Sequence, residues 1–219
     1  MPIDVTNREY RDMKIEILAV PDNEPEAETE ERKIVAGYAT VFDSPYTLYG
    51  DDEIRIEEVV DKDAFDGADM ADVIMQYDHE GRVFARTRNN TLTVTPDGKG
   101  LFIEADLGGT ELGRQLYEEI RGGYTDKMSF GFTVAADEWS KEIVDGVTVN
   151  RRVLKRIGKL YDVSAVSIPA NDATSISVRN MADGVIDQIR AERLEAERIE
   201  TERRRAEVRA RAMLGGLNE

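Results

Sequence analysis

The sequence predicts a β-rich α+β domain followed by a long charged helix. Short runs of alternating polar and apolar residues, separated by Gly, Pro and Asp turns, predict many short strands. Only residues 110–121 combine a helical period with a capping residue inside this region. From about residue 181 the chain is rich in Ala, Glu, Arg and Leu, which predicts a helix of roughly 30 residues.

The composition fits a globular domain with a highly charged surface. The chain has 219 residues, of which 41% are apolar and 34% charged, with a net charge of −16. Such a charge repels nucleic acid and anionic membranes, so neither is expected as a partner. No segment approaches the ~20 apolar residues of a membrane span, and the N-terminus lacks the apolar core of a secretory signal. We therefore expect a soluble, intracellular protein.

The first half of the chain reads as strands joined by polar loops. Strands are predicted at 13–20, 33–42, 54–60 and 73–77. The segment 21–32 is acidic and holds two prolines, which predicts a mobile loop. Residues 44–52 are expected to form a turn-rich loop, and 61–68 a short helical turn. The last of these strands leads directly into Asp78 and His79.

The second half contains two hairpin signals and one helix. Further strands are predicted at 82–87, 91–95, 101–107, 128–134, 139–143, 147–154, 159–168 and 174–178, with turns at 96–98 and 145–146. In the helix, Thr110 can cap the start and Gly122 can end it. Its apolar face comprises Leu112, Leu116, Tyr117 and Ile120.

The census of reactive residues excludes most catalytic designs. The chain has no cysteine and a single histidine, His79, so thiol nucleophiles and zinc sites built from thiolates or several imidazoles are ruled out. No metal or other cofactor is expected. If the protein uses an imidazole base, that base is His79, and it needs a hydroxyl nucleophile and an orienting carboxylate.

Ser129 and Asp162 are the candidates for these two roles. Met128, Phe130 and Phe132 share one strand face, so Ser129 and Gly131 share the other, and Gly131 is expected to leave that face open to a substrate.

Asp162 lies in an otherwise apolar strand, where a carboxylate needs a partner. The residues alone do not decide between a catalytic and a purely structural role for each candidate. In the structural interpretation, Asp162 forms a salt bridge with Lys155, Arg156 or Lys159.

Five segments occur in the order found in a known family. They are GYATVF, YDHEGRVFART, TLTVTPDGKGLFIEADL, IRGGYTDKMSFGFTV and LYDVSAVSIPAN. Together they resemble the tailed-phage prohead proteases, the serine proteases of capsid maturation, over about residues 37–177. The pairing of KMSFGF with LYDVSAVSIPAN is the most specific part.

The resemblance implies site residues and a fold. The family's histidine falls on His79, its nucleophile on Ser129 and its third member on Asp162, where the family usually has Glu. A second departure is the family's Pro-Gly-Ala-Phe, which appears here as residues 61–65, DKDAF. The family is similar in fold to the herpesvirus assembly proteases, which implies a bent, mostly antiparallel β-barrel with packed helices.

The resemblance also implies a function and a domain organisation. Residues 1–180 would form the protease core, and 181–219 a helix that is either a targeting tail or removed by autolysis. The implied activity is a serine endopeptidase that cleaves scaffold, or the scaffold domain of the major capsid protein, and itself. It would act inside the immature prohead in the host cytoplasm. The herpesvirus likeness suggests self-association as a dimer.

Two other functions compete with this one. The first is a catalytically inactive assembly factor that binds coat, scaffold or portal protein, which a separation above ~5 Å between His79 and Ser129 would favour. The second is an acidic mimic of nucleic acid, which the net charge permits.

Overall fold

The computed structural model describes residues 8–13, 18–19 and 33–167, together with isolated positions at 195, 198–199 and 202–204. Residues 8–13, 18–19 and 33–167 contain eleven strands, one α-helix and one 3-10 turn. The strands are β1 (Glu9–Met13), β2 (Leu18–Ala19), β3 (Ile34–Val41), β4 (Tyr46–Gly50), β5 (Ile54–Val60), β6 (Ile74–Tyr77), β7 (Glu80–Arg86), β8 (Leu92–Pro96), β9 (Gly100–Asp106), β10 (Lys127–Val144) and β11 (Val147–Val166). The helix α1 spans Glu111–Arg121, and the 3-10 turn spans Thr87–Asn89.

The strands form two sheets. The larger has the order β1-β10-β11-β5-β4, with β6 also paired to β11 and β7 to β6. The smaller has the order β2-β3-β9-β8. Most pairs are antiparallel, but β11 runs parallel to β5 along its first half and to β6 along its second.

The long hairpin of β10 and β11 organises the larger sheet. Its turn, Asp145-Gly146, has φ of 51° and 85°, the left-handed pair that a two-residue hairpin of this twist requires. Register shifts between Gly131 and Asp137 interrupt the ladder and bend β10, as bulges do. Because β6 pairs with the end of β11, the turn that follows β6 lies beside the first residues of β10.

The core lies on the apolar face of β10. Met128, Phe130 and Phe132 are fully buried there, as their alternation predicts, and they join a cluster that includes residues of β3, β9 and α1. The predicted helix cap is confirmed, because the Thr110 hydroxyl accepts a hydrogen bond from the Gly113 amide.

The predicted fold class is wrong. The protein is mostly β rather than α+β with packed helices, and its two sheets do not close into a barrel over the described residues. The physical reason lies in the sequence, because within residues 33–167 only 110–121 has a helical period and most other segments alternate at period two. The packed helices and the closure came from the family likeness, and local patterns specify strands without specifying whether a sheet closes.

Two elements were also missed near the N-terminus. Residues 46–50, predicted as loop, form β4, and Glu9–Met13 form β1, a strand too polar for its alternation to be seen. The expected strand at 13–20 is described only as the last residue of β1 and as β2.

Three other predictions fall outside the described residues. They are the loop at 21–32, the strand at 174–178 and most of the helix at 181–219. Residues Arg179–Glu219 form a compact unit separate from Met1–Val178, and the isolated positions described within them are helical. No helix of the described part of the chain is long and apolar enough to cross a membrane.

Candidate active site

His79 occupies a tight turn between β6 and β7. Asp78 and His79 have φ of 48° and 58°, so both adopt the left-handed conformation of a two-residue hairpin turn. The Asp78 carboxylate accepts hydrogen bonds from the amide and hydroxyl of Ser167, at 2.9 and 2.8 Å, which ties the turn to the end of β11. The turn therefore fixes the backbone that carries the imidazole.

Ser129 lies on β10, on the face opposite the core. Its Cα pairs with Ser164 of β11 on one side and with Asp12 of β1 on the other. Its hydroxyl oxygen lies 2.5 Å from Nε2 of His79, and it donates a 3.0 Å hydrogen bond to the carbonyl oxygen of Arg11. Because strands flank it on both sides, Ser129 is 0% exposed.

Asp162 lies on β11 opposite Gly131 and is fully buried. Its Oδ1 lies 2.5 Å from Nδ1 of His79 and also accepts a 3.0 Å hydrogen bond from the Ser164 hydroxyl. Its Oδ2 accepts no hydrogen bond from the described residues and lies 3.8 Å from Nη1 of Arg8. Two donors on Oδ1 and a nearby cation on Oδ2 therefore hold the carboxylate in one orientation.

The structure brings all three predicted residues together. The imidazole lies between the hydroxyl and the carboxylate, with one ring nitrogen facing each. When Nδ1 carries a proton and donates it to Asp162, Nε2 is unprotonated. Nε2 can then accept the proton of the Ser129 hydroxyl. This order of hydroxyl, imidazole and carboxylate is the arrangement of the serine hydrolases.

Gly131 has a different surrounding from the one predicted. A Cβ at this position would meet Asp162 Oδ2 at 2.4 Å and the Tyr10 ring at 2.7 Å. The face beside Ser129 is therefore filled by a carboxylate and an aromatic ring rather than open. Glycine is required here because a side chain would occupy the space of the Asp162 carboxylate, which contacts His79.

Two of the three basic residues that the structural interpretation offered as partners of Asp162 pair with other carboxylates. Lys155 pairs with Asp61 and Lys159 with Asp69. Arg8 is the cation near the carboxylate, and it also stacks over the ring of Tyr161 at 3.7 Å.

Strand β1 covers the three residues. The Tyr10 ring packs edge-on against the His79 ring, with centroids 4.4 Å apart. On the other sheet face, the Arg11 side chain is 2% exposed and binds both oxygens of Glu58, at 2.5 and 2.9 Å. Neither contact could be predicted from the sequence, since β1 has no apolar alternation. The contact of Ser164 with Asp162 could have been predicted, because the two residues share a strand face.

Glu58 is the centre of a buried ionic cluster. It is 0% exposed and contacts Arg11, Arg152 and the Tyr46 hydroxyl, while Arg152 also binds Glu9. Burial alone would lower the pKa of Arg11, but the charge and hydrogen bonds of Glu58 raise it above its usual range. Burial alone would raise the pKa of Glu9, but the hydrogen bond from Arg152 and the two guanidinium charges lower it below 4.5. Both shifts favour the charged forms of Arg11 and Glu9.

Comparison with known proteins assigns the chain to a family. The profile of the caudovirus prohead serine proteases matches residues 19–185. The match covers more than half of the chain, so the chain belongs to this family.

The prohead protease of Enterobacteria phage HK97 is 28% identical over 94 residues, which are 42% of this chain and 39% of that relative. The chain thus matches less than half of the relative's length. No solved structure matches the chain significantly.

Proposed function

We propose that the protein is a serine endopeptidase of phage head maturation. The observation that carries the proposal is the imidazole of His79, 2.5 Å from both the Ser129 hydroxyl and the Asp162 carboxylate. Membership of the caudovirus prohead serine protease family supports the same reaction class.

In the proposed mechanism Ser129 is the nucleophile. Its hydroxyl oxygen attacks the scissile carbonyl carbon while Nε2 of His79 accepts the hydroxyl proton. The imidazolium then passes that proton to the leaving amine, and water hydrolyses the acyl-enzyme by the same route. Asp162 holds the Nδ1–H tautomer and stabilises the cationic ring. Ser164 acts through Asp162 as a positioning residue, since its hydroxyl binds the oxygen that faces His79.

The proposed substrate is the scaffold, or the scaffold domain of the major capsid protein, inside the immature prohead. The relative from phage HK97 is named a prohead protease, which supports this assignment. Self-cleavage that releases residues 181–219 is part of the proposal, and intact mass with N-terminal sequencing of the purified chain would locate the cut. Self-association as a dimer stays a prediction.

Coexpression with the capsid protein tests the proposal. Ser129→Ala is expected to abolish processing, because loss of a triad member costs on the order of 10⁴-fold or more in kcat. Ser140→Ala is the matched control, since Ser140 lies on the exposed part of the same strand. Normal processing by Ser129→Ala would refute the assignment of the nucleophile.

The alternative of an inactive assembly factor has less support. That alternative predicts an imidazole more than ~5 Å from Ser129. In the structure, Nε2 of His79 lies 2.5 Å from the Ser129 hydroxyl oxygen.

A further inference from the structure

Strand β1 occupies the edge of β10 beside the nucleophile. It pairs antiparallel with β10 in a register that sets Tyr10 opposite Gly131 and Arg11 opposite Phe130. The carbonyl oxygen of Arg11 lies 3.0 Å from the Ser129 hydroxyl oxygen. Extended peptides commonly bind by adding a strand to a sheet edge, and here the edge of β10 beside the nucleophile is already occupied.

The side chains of β1 follow the alternation of an extended substrate. Tyr10 and Arg11 are neighbours in a strand, so they point to opposite sheet faces. Tyr10 packs on the ring of His79, and Arg11 enters the buried cluster around Glu58. The residue whose carbonyl meets the nucleophile thus has its own binding pocket, and the residue before it contacts the general base.

The Glu58 pocket is suited to a cation. Glu58 is fully buried and is positioned by the Tyr46 hydroxyl and by Arg152. Arg152 is also bound by Asp137, at 2.5 Å. If β1 leaves, Glu9 and Arg11 leave together, and the two carboxylates of Glu58 and Asp137 remain with the single charge of Arg152. The vacated pocket then has an excess of one negative charge.

We propose that β1 is an internal substrate mimic, and that the site accepts peptides with Arg or Lys immediately before the cleaved bond. This inference rests on the proposed function, since it specifies the substrate of the same nucleophile. In β1 the corresponding bond is Arg11–Asp12. While β1 is docked, Ser129 is covered and its hydroxyl proton is shared between His79 and the Arg11 carbonyl, so the enzyme is latent. A substrate strand must displace β1, which competes at the millimolar effective concentration of a tethered segment.

The first test uses the unaltered full chain and two synthetic peptides. One has the sequence of residues 5–15, VTNREYRDMKI, and the other replaces its second arginine with citrulline, which keeps the shape but removes the charge. We expect Ser129-dependent cleavage of the Arg-Asp bond in the first peptide, and cleavage of the second about 100-fold or more slower, because Glu58 loses its partner. Equal rates, or cleavage at another bond, would overturn the proposal.

The second test changes the pocket. Glu58→Gln should bring the rates for the arginine and citrulline peptides to within about threefold of each other. Glu57→Gln is the control, since Glu57 lies on the same strand but pairs with Arg151, and it should keep the preference. An unchanged preference in a folded Glu58→Gln protein would overturn the proposal. If Glu58→Gln does not fold, the comparison of the arginine and citrulline peptides on the unaltered chain still tests the proposal.

Latency is tested with Arg11→Gln in the full chain. Loss of the Glu58 contact should loosen β1 and raise the rate on the arginine peptide by about tenfold or more, with cleavage still dependent on Ser129. A lower rate together with a lower Tm would show that β1 is only a structural strand.

The failure of this inference can be told from failure of the proposed function. A preparation that processes the capsid protein through Ser129 but cuts neither peptide, or cuts after residues other than Arg and Lys, overturns the inference alone. Absence of any Ser129-dependent cleavage overturns both.

Discussion

Gly131→Ala should damage the site without unfolding the protein. The added methyl group would lie 2.4 Å from Asp162 Oδ2, whereas ordinary contacts begin at 3.4 Å, so the carboxylate must move by about 1 Å. The 2.5 Å contact between Asp162 and His79 cannot survive that shift unchanged. A misplacement of this size costs about 10²-fold in rate, and complete loss of the orienting role about 10⁴-fold. We therefore expect kcat to fall between these limits.

The assay is cleavage of a peptide or capsid substrate at saturating concentration, with Tm as the measure of folding. Gly158→Ala is the control, because Gly158 lies on β11 and its Cβ would come no closer than 3.3 Å to any neighbour. The methyl group at 131 also crowds the Tyr10 ring, at 2.7 Å. Adding Tyr10→Ala removes the contact with the ring but leaves the contact with Asp162. The low kcat should therefore persist in the Gly131→Ala, Tyr10→Ala double variant. A wild-type kcat in a folded Gly131→Ala protein would refute the role of Asp162.

Three smaller perturbations test the supports of the site. Ser164→Ala removes a 3.0 Å donor to Asp162, so kcat should fall about tenfold and the free energy of unfolding by about 1 kcal/mol; a fall in stability at unchanged kcat would contradict a positioning role. Asp78→Ala should lower kcat about tenfold, because it loosens the turn that carries the imidazole. Asp145→Ala, in the turn between β10 and β11, is the control and should leave kcat unchanged. Equal effects of the two variants on kcat would contradict this prediction. The folded-state pKa of Glu9 lies below 4.5, so Glu9 stabilises the docked β1 fully above about pH 4.5, and this stability is lost as the pH falls through the lowered pKa. Hydrogen-exchange protection factors of β1 should drop below pH 4.5, and Glu9→Gln should lower them already at neutral pH; protection independent of pH in the unaltered chain would contradict this.

The imidazole of the candidate site could be predicted from composition, because the chain has a single histidine, His79. Serine and aspartate are not scarce, so Ser129 and Asp162 were singled out by the resemblance of KMSFGF and LYDVSAVSIPAN to the family's motifs. The positions of many strands could be predicted from the alternation of polar and apolar residues. The alternate residues Met128, Phe130 and Phe132, for example, are all buried.

What could not be predicted depends on pairing between distant segments. Parallel pairing of β11 with β5 and β6 leaves no local signal, and neither does the failure of the sheets to close. Strand β1 is stabilised by ion pairs with residues 47 to 143 positions away, so its polar sequence predicted no strand. The space beside Gly131 looked open for the same reason, since Tyr10 arrives from that unseen strand.

Labelling with a fluorophosphonate tests the central claim most directly. Such reagents form an adduct only with an activated hydroxyl, and peptide mapping identifies the residue that carries it. The account predicts one adduct, on Ser129, that forms slowly in the unaltered chain, faster in Arg11→Gln and not in His79→Ala. An adduct on another residue, or undiminished labelling in His79→Ala, would contradict it.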